Sequence, residues 1–380
     1  MDRATEIELI EEILELHARK SAFLDSEVSQ SPVDIYTDPD RFQRERDSLL
    51  RTTPQPLAHA CELPEAGSFL RRDLAGLPVL LTRDREGVVH AFLNVCRHRG
   101  TRLVDEDRGC RHRFSCPYHA WTWDNRGNFV GAPHLEQGFP DLDRDATGLR
   151  RLGCTERHGF LWVTAGSESA PDVDVFVAGL APDFQAFDAD ALHLAFEEER
   201  NWAVNWKILV EGGIEAYHFR VAHRDTIAPY FHDNLSSYRR FGPHLRSVLA
   251  KRTLTDLPEQ PQERWRLREH AQLLYSLFPS SVFLVQADHV AWVQIQPLGA
   301  ASTNVRISTL VPSDRLETSE DQAHWEKNHG ITVKTLDEDF VIGERIQAGL
   351  ESGANEHLTF GRFEGALAVF NQTVERGLEG

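Results

Sequence analysis

At 380 residues the chain has room for two ordinary domains and a sizeable core. Asp plus Glu number 59 against 41 Lys plus Arg, and the resulting net charge of −18 repels nucleic acid and anionic lipid, which excludes both as partners. Five cysteines form no disulfide framework, no apolar run reaches membrane-spanning length, and Glu6, Glu8, Glu11 and Glu12 stand where a leader would be basic and then apolar; a soluble, unprocessed, cytoplasmic protein is expected.

Thr5 with Glu8 reads as a capping box, and Ile7, Ile10, Ile13, Leu14 and His17 follow at helical spacing. Tyr36-Thr-Asp-Pro39 leads into a second helical stretch over 42–50, which Pro54 and Pro56 end. From about 65 to 166 the segments are short, β-branched and aromatic, at 78–82, 88–95, 113–115, 128–130 and 160–164; they predict a small antiparallel β domain. Past Gly166 the pattern changes to helical patches over 173–188, a helix over 205–222, strands at 281–297 and 303–311, and helices over 319–350 and 361–377. The fold class expected is α+β: N-terminal helices over 1–50 packing on a catalytic domain at 167–380, with the β domain at 51–166 between them.

Cys96-Arg-His98 and Cys116-Pro-Tyr-His119, seventeen residues apart, supply two thiolates and two imidazoles. A structural zinc ion accepts the same four ligands, but zinc sites tend to keep like ligands together, whereas here each arm carries one Cys and one His. Mixed arms suit a [2Fe–2S] cluster with one iron on sulfur and the other on nitrogen. Cys61, Cys110 and Cys154 remain as an odd and widely spaced set.

Further on, Asn205-Trp-Lys207 precedes Glu211-Gly-Gly-Ile-Glu215-Ala-Tyr-His218-Phe-Arg-Val-Ala-His223. A non-haem ferrous site needs two His and one carboxylate on one face of the metal, and His218 and His223 are the candidate pair. Five residues turn a helix by roughly 140°, so the helix is expected to break or bulge between them. Glu215, about 60° from His218 on a helix, is placed to accept from the imidazole nitrogen that faces away from the metal. Taken alone, His-x₄-His is a weak signal in a chain with 18 histidines.

The two arms resemble the ligand loops of Rieske domains. Asn205, Trp206, Lys207, Glu211, Glu215, Tyr217, His218 and His223 resemble the catalytic motif of Rieske non-haem iron oxygenases, the ring-hydroxylating oxygenase α-subunit family. The resemblance implies a Rieske domain joined to a helix-grip (START-like) catalytic domain, with an antiparallel sheet and helices. It also implies a [2Fe–2S] cluster on Cys96, His98, Cys116 and His119, and Fe(II) on His218, His223 and a late acid. Asp339 is the choice for that acid, with Asp337 and Glu338 as neighbours that fit the same pattern.

By the same resemblance the protein is the terminal oxygenase of a homotrimer, in which Glu215 bridges His218 to His119 of a neighbouring subunit. Electrons then come from NAD(P)H through a separate reductase, directly or by way of a ferredoxin, since no Gly-rich dinucleotide fingerprint is present. Two departures from the family pattern stand out. Gly212-Gly213 replaces Asn and an aromatic, which predicts a roomier or more mobile pocket wall. Glu215 stands where Asp is commoner, as in the carnitine and choline-type branch. The reaction expected is either ring hydroxylation or monooxygenation with demethylation of a methylated amine, which Phe219, Tyr230 or Phe231 would hold by cation–π contact. The rival readings are a Rieske electron carrier fused to a hydrophobic-ligand domain without catalytic iron, and a zinc-stabilised binding module.

Overall fold

The computed structural model describes residues 1–379, and the chain divides into two units: residues 51–176, and residues 1–50 together with those from 177 onward. Residues 167–176, read from sequence as the start of the catalytic domain, thus cluster with the β unit.

In the 51–176 unit, seven strands form one antiparallel sheet: β1 (Gln55–His59), β2 (Ser68–Leu74), β3 (Leu77–Arg83), β4 (Val89–Leu93), β5 (Arg108–Cys110), β9 (Arg151–Arg157) and β10 (Phe160–Thr164), in the order β1-β10-β9-β4-β3-β2-β5. Three short strands, β6 (Arg113–Ser115), β7 (Thr122–Asp124) and β8 (Phe129–Gly131), make a second sheet. Alternation along the strands separates two cores. One is aliphatic, around Leu57, Leu70, Leu81 and Val163. The other is aromatic, with Phe69, Phe92, Phe114, Trp121, Trp123 and Phe129 packed beneath Cys96 and Cys116. Gly127 admits no other residue: its φ is +79°, and a Cβ there would lie 2.3 Å from the Phe92 ring.

The other unit is built on a second seven-stranded antiparallel sheet. Its strands are β11 (Leu192–Trp202), β12 (Phe231–Phe241), β13 (His244–Lys251), β14 (Ala271–Leu277), β15 (Ser281–Val285), β16 (Val290–Gly299) and β17 (Ser302–Pro312), in the order β11-β17-β16-β15-β14-β13-β12. Helix α1 (Arg3–Ala18) begins this unit; Asp2, not Thr5, is its N-cap, accepting from the Thr5 backbone N–H at 2.8 Å. The second N-terminal helix, α2 (Pro39–Glu45), starts earlier than expected because Asp38 caps it and Pro39 occupies its first position.

Helix α3 (Trp206–Gly213) is followed by the single turn α4 (Phe219–Ala222), the 33-residue α5 (Ser319–Glu351) and α6 (Gly365–Glu379). Helix α5 is held on the sheet by His329, which stacks on Phe196 and lies 2.9 Å from Thr309 Oγ1, and by Phe340 against Trp202. Among the described residues no helix is long and apolar enough to cross a membrane.

Candidate metal centres

The Cys96 and Cys116 loops share one hydrogen-bond pattern. Cys96 N donates to Thr101 O and Cys116 N to Trp121 O, each at 2.8 Å, while Gly100 N and Ala120 N return to Cys96 O and Cys116 O at 3.0 and 2.9 Å. Gly100 and Ala120 both take positive φ, which lets each loop double back. Their bases are closed by the Val95–Arg102 bridge and the Ser115–Thr122 pair.

The two loops set Cys96 beside Cys116 and His98 beside His119. Both sulfurs are buried, and burial, with Cys116 alongside, raises the Cys96 thiol above its ordinary range. The His98 and His119 rings lie 4.8 Å apart. His98 stacks on Trp121 at 4.6 Å and 4°, while Tyr118, exposed itself, covers His119 at 3.8 Å. Among the described residues His98 Nδ1 is buried without a hydrogen-bond partner, as a nitrogen that gives its lone pair to a metal would be. Tyr118 N donates to Cys116 Sγ at 3.4 Å, the kind of bond that tunes a sulfur-bound metal. Two sulfurs, an orphaned imidazole nitrogen and a second imidazole fit a cluster.

The other centre is assembled where α3 stops. Asn205 caps α3, accepting from Lys207 N at 3.0 Å, and the helix runs only to Gly213. The predicted continuous helix to 222 is therefore incorrect, and the break falls ahead of the histidine pair rather than between its members. His218 and His223 flank the single turn α4 as its N-cap and C-cap. A one-turn helix brings both rings to one side, so that their Nε2 atoms lie 3.1 Å apart.

Asp339 comes from α5, with Oδ1 3.0 Å from His223 Nε2 and 3.4 Å from His218 Nε2. One donor atom from each of the three residues falls within 4.8 Å of the other two. The neighbouring acids point elsewhere. Asp337 pairs with Arg200 at 2.5 Å, and Glu338 accepts from His223 Nδ1 at 2.8 Å and from Thr226 Oγ1 at 2.6 Å. Glu215 accepts from His218 Nδ1, through the turn after α3 rather than along a helical face. Although burial disfavours the cationic forms, these acids raise both histidines above their ordinary range, Glu215 and Asp339 acting on His218 and Asp339 and Glu338 on His223. A cation fits such an electron-rich pocket.

The motif residues upstream are structural. Lys207 Nζ donates to both Glu45 oxygens at 2.8 and 2.7 Å, and Trp206 Nε1 donates to Glu45 Oε2 at 2.9 Å. Glu211 accepts from Tyr36 Oη at 2.7 Å and from Asn371 Nδ2 at 2.9 Å. They lock α3 to the N-terminal segment and to α6, so the turn that carries Glu215 and His218 starts from a fixed point. Sequence reading attached no partner to Glu45, Tyr36 or Asn371, whose role emerges only from contacts more than 150 positions away.

Beside His223 and Asp339 lies a cavity of about 550 Å³, its open mouth included, walled by Leu249, Leu274, Leu284 and Leu336. Gly212 and Gly213 face it, and a Cβ on either would meet nothing within 4 Å, so the double glycine widens this wall. Phe219 lines it. Phe231 packs behind Phe219 at 5.4 Å, and Tyr230 is 67% exposed; neither reaches the cavity.

Residues 186–380 match the ring hydroxylating alpha subunit (catalytic domain) family, and residues 53–150 match the Rieske [2Fe-2S] domain. The glycine betaine monooxygenase oxygenase subunit of Chromohalobacter salexigens is 27% identical over 362 residues, spanning 85% of this chain and 80% of that protein. The N,N-dimethyl phenylurea N-demethylase subunit alpha of Sphingobium sp. is 33% identical over 199 residues, half of this chain and 43% of that protein. In fold the chain resembles the quaternary ammonium Rieske monooxygenase CntA in complex with L-carnitine (TM-score 0.79, 22% identity, 92% of this chain and 96% of that one). It also resembles the naphthalene 1,2-dioxygenase from Rhodococcus sp. (TM-score 0.76, 17% identity, 98% of both chains). The Rieske match sets the zinc reading of the Cys and His arms aside. The chain belongs to the ring hydroxylating alpha subunit family, whose members use a Rieske [2Fe–2S] cluster and a mononuclear iron, and it is an oxidoreductase.

Proposed function

We propose that this chain is the terminal oxygenase component of its system, with Cys96, His98, Cys116 and His119 holding the cluster and His218, His223 and Asp339 holding Fe(II). The observation that carries the reading is the convergence of those last three residues beside a mostly aliphatic cavity. An electron carrier has no use for a third iron site opening onto a ligand cavity. When bound, the two metal groups supply the electron relay and the activation of O₂.

The chain's own part is placement. Glu215 and Glu338 take the Nδ1–H of His218 and His223, which fixes both tautomers and turns both Nε2 atoms towards Asp339. Two His and one carboxylate occupy one side, leaving the other free for O₂ and substrate. The leucine wall gives the substrate an apolar surface beside His223 and Asp339. Among the described residues the cavity has one aromatic side chain and no carboxylate besides Asp339, so it offers no cage for a quaternary ammonium, and the substrate proposed is a small uncharged organic molecule. Both ring hydroxylation and oxidative demethylation suit such a molecule.

We further propose a cytoplasmic homotrimer served by a separate NAD(P)H-dependent reductase, in which Glu215 couples His218 to His119 of the neighbouring subunit. Metal analysis tests the central claim: three irons and two labile sulfides per chain are expected, with substrate-dependent O₂ uptake when a reductase is supplied. Two irons in the fully reconstituted protein would return the chain to the electron-carrier reading.

A further inference from the structure

Two amides interrupt the aliphatic wall of the cavity. Along β14 and β15 the side chains alternate: Leu273, Tyr275 and Val285 line the opposite face of the sheet, while Gln272, Leu274, Leu284 and Gln286 line the cavity. Leu274 is the cross-strand partner of Leu284. Gln286, the residue that follows β15, reaches Gln272 on the same side, where its Nε2 donates to Gln272 Oε1 at 3.1 Å. Gln272 is 8% exposed.

That bond uses one donor of Gln286 and one lone pair of Gln272. It leaves the two N–H groups of Gln272, the second N–H of Gln286 and the Gln286 side-chain carbonyl without a protein partner among the described residues. Reversing both amides gives the same inventory with the two residues exchanged. The main chain at Gln286 is held from behind, since Arg268 Nε donates to the Gln286 main-chain carbonyl and Gln286 N donates to His289 O at 2.9 Å. The cavity therefore presents a donor beside an acceptor, both neutral, and among the described residues no Lys or Arg lines it.

A carboxylate would want a cation there, and a hydrocarbon that displaced water from the pair would leave its remaining N–H and carbonyl groups unmatched. We infer that Gln272 and Gln286 are the specificity-determining contact of this oxygenase, selecting neutral substrates that carry an amide- or urea-like group, one N–H next to one carbonyl. The inference rests on the cavity being the oxygenase's substrate site.

Binding to the iron-replete protein under anaerobic conditions tests it without turnover. The probes are N,N-dimethyl-N′-phenylurea, 3-methylbutylbenzene as its hydrocarbon counterpart, and glycine betaine. The wild type is expected to bind the urea at least about tenfold more tightly than glycine betaine. In Gln272→Leu and in Gln286→Leu the ratio of the urea Kd to the hydrocarbon Kd should rise about tenfold, the hydrocarbon itself reporting that the cavity is intact. An unchanged ratio in either variant, or tighter binding of glycine betaine by the wild type, overturns the proposal. Should one leucine variant fail to fold, the other variant and the wild-type preference decide it. Iron content separates the two layers: three irons with an unchanged ratio sinks only the glutamine pair, whereas two irons sinks the oxygenase reading.

Discussion

Glu338 and Asp339, consecutive on α5, address opposite nitrogens of a single imidazole: Glu338 accepts from His223 Nδ1 at 2.8 Å, and Asp339 stands 3.0 Å from Nε2. Successive helical residues diverge by about 100°, and His223 sits in the angle between them. Asp337, on the third direction, is tied to Arg200. Three adjacent acids therefore predict three phenotypes. Asp339→Ala should lose the third iron, leaving two per chain. Glu338→Gln should keep it with affinity lowered on the order of 10–100-fold, as expected when the group behind a metal-bound histidine is weakened. Asp337→Asn should bind iron as the wild type does. Ferrous titration against a competing chelator ranks them, and iron loss in Asp337→Asn would show the helix to be rotated from this arrangement.

Glu215 holds His218 by a different device. It lies in the turn between α3 and α4, where one carboxylate oxygen takes His218 Nδ1–H and the other takes the Tyr217 backbone N–H, so the acid is clamped by its own turn. Glu215→Ala frees the ring to rotate but removes no atom assigned to a metal. Both metal groups should remain at saturating iron, while product formed per electron supplied drops on the order of 10–100-fold. Normal, fully coupled turnover in that variant would take Glu215 out of the route between subunits.

How far each site is legible in the sequence depends on how local it is. Each Cys and His arm lies within one loop, so Cys96, His98, Cys116 and His119 stand out as candidates from the sequence alone. The His218–His223 pair is also local, and its spacing demands a distorted helix, yet where the distortion falls depends on how α3 ends at Gly213. Asp339 is another matter. Three acids in a row offer no basis for choosing, and the choice is made by the rotation of α5 on α3, where Gly343 lets Leu209 and Val204 approach within 3.4 Å of its Cβ position. Strands β13 and β14 escaped sequence reading because nearly every residue in them is buried, which erases the in–out alternation that marks a half-exposed strand. Gln272 and Gln286 meet only once β14 and β15 are in register.

The Lys207–Glu45 pair tests what the upstream motif is for. Both side chains are fully buried, and Glu45 also accepts from Arg41 Nε at 3.0 Å and Trp206 Nε1 at 2.9 Å. Removing the acid strands an ammonium in the interior, whereas removing the lysine leaves Glu45 with two donors. Glu45→Gln should therefore cost about 3–5 kcal/mol, and Lys207→Met clearly less. Urea unfolding followed by tryptophan fluorescence compares the two. Equal losses would mean that Arg41 and Trp206 do not compensate Glu45.

Glu211 gives a pH dependence with a definite sign. Burial pushes its carboxyl up to about 7, against the pull of hydrogen bonds from Tyr36 and Asn371 and the charge of Lys207, whereas the unfolded chain titrates near 4.5. Between those values the folded state holds the proton more tightly than the unfolded state does, so the stability it contributes is complete below about 4.5 and is lost as pH rises through 7. A shift of that size corresponds to roughly 3 kcal/mol at most above pH 7. Glu211→Gln retains an oxygen for Tyr36 and Asn371 but cannot ionise. It should melt close to the wild type near pH 5 and progressively above it towards pH 8. A melting difference that stays constant between those pH values would show that Glu211 is already ionised in the folded protein throughout, and that Lys207 rather than a proton balances it.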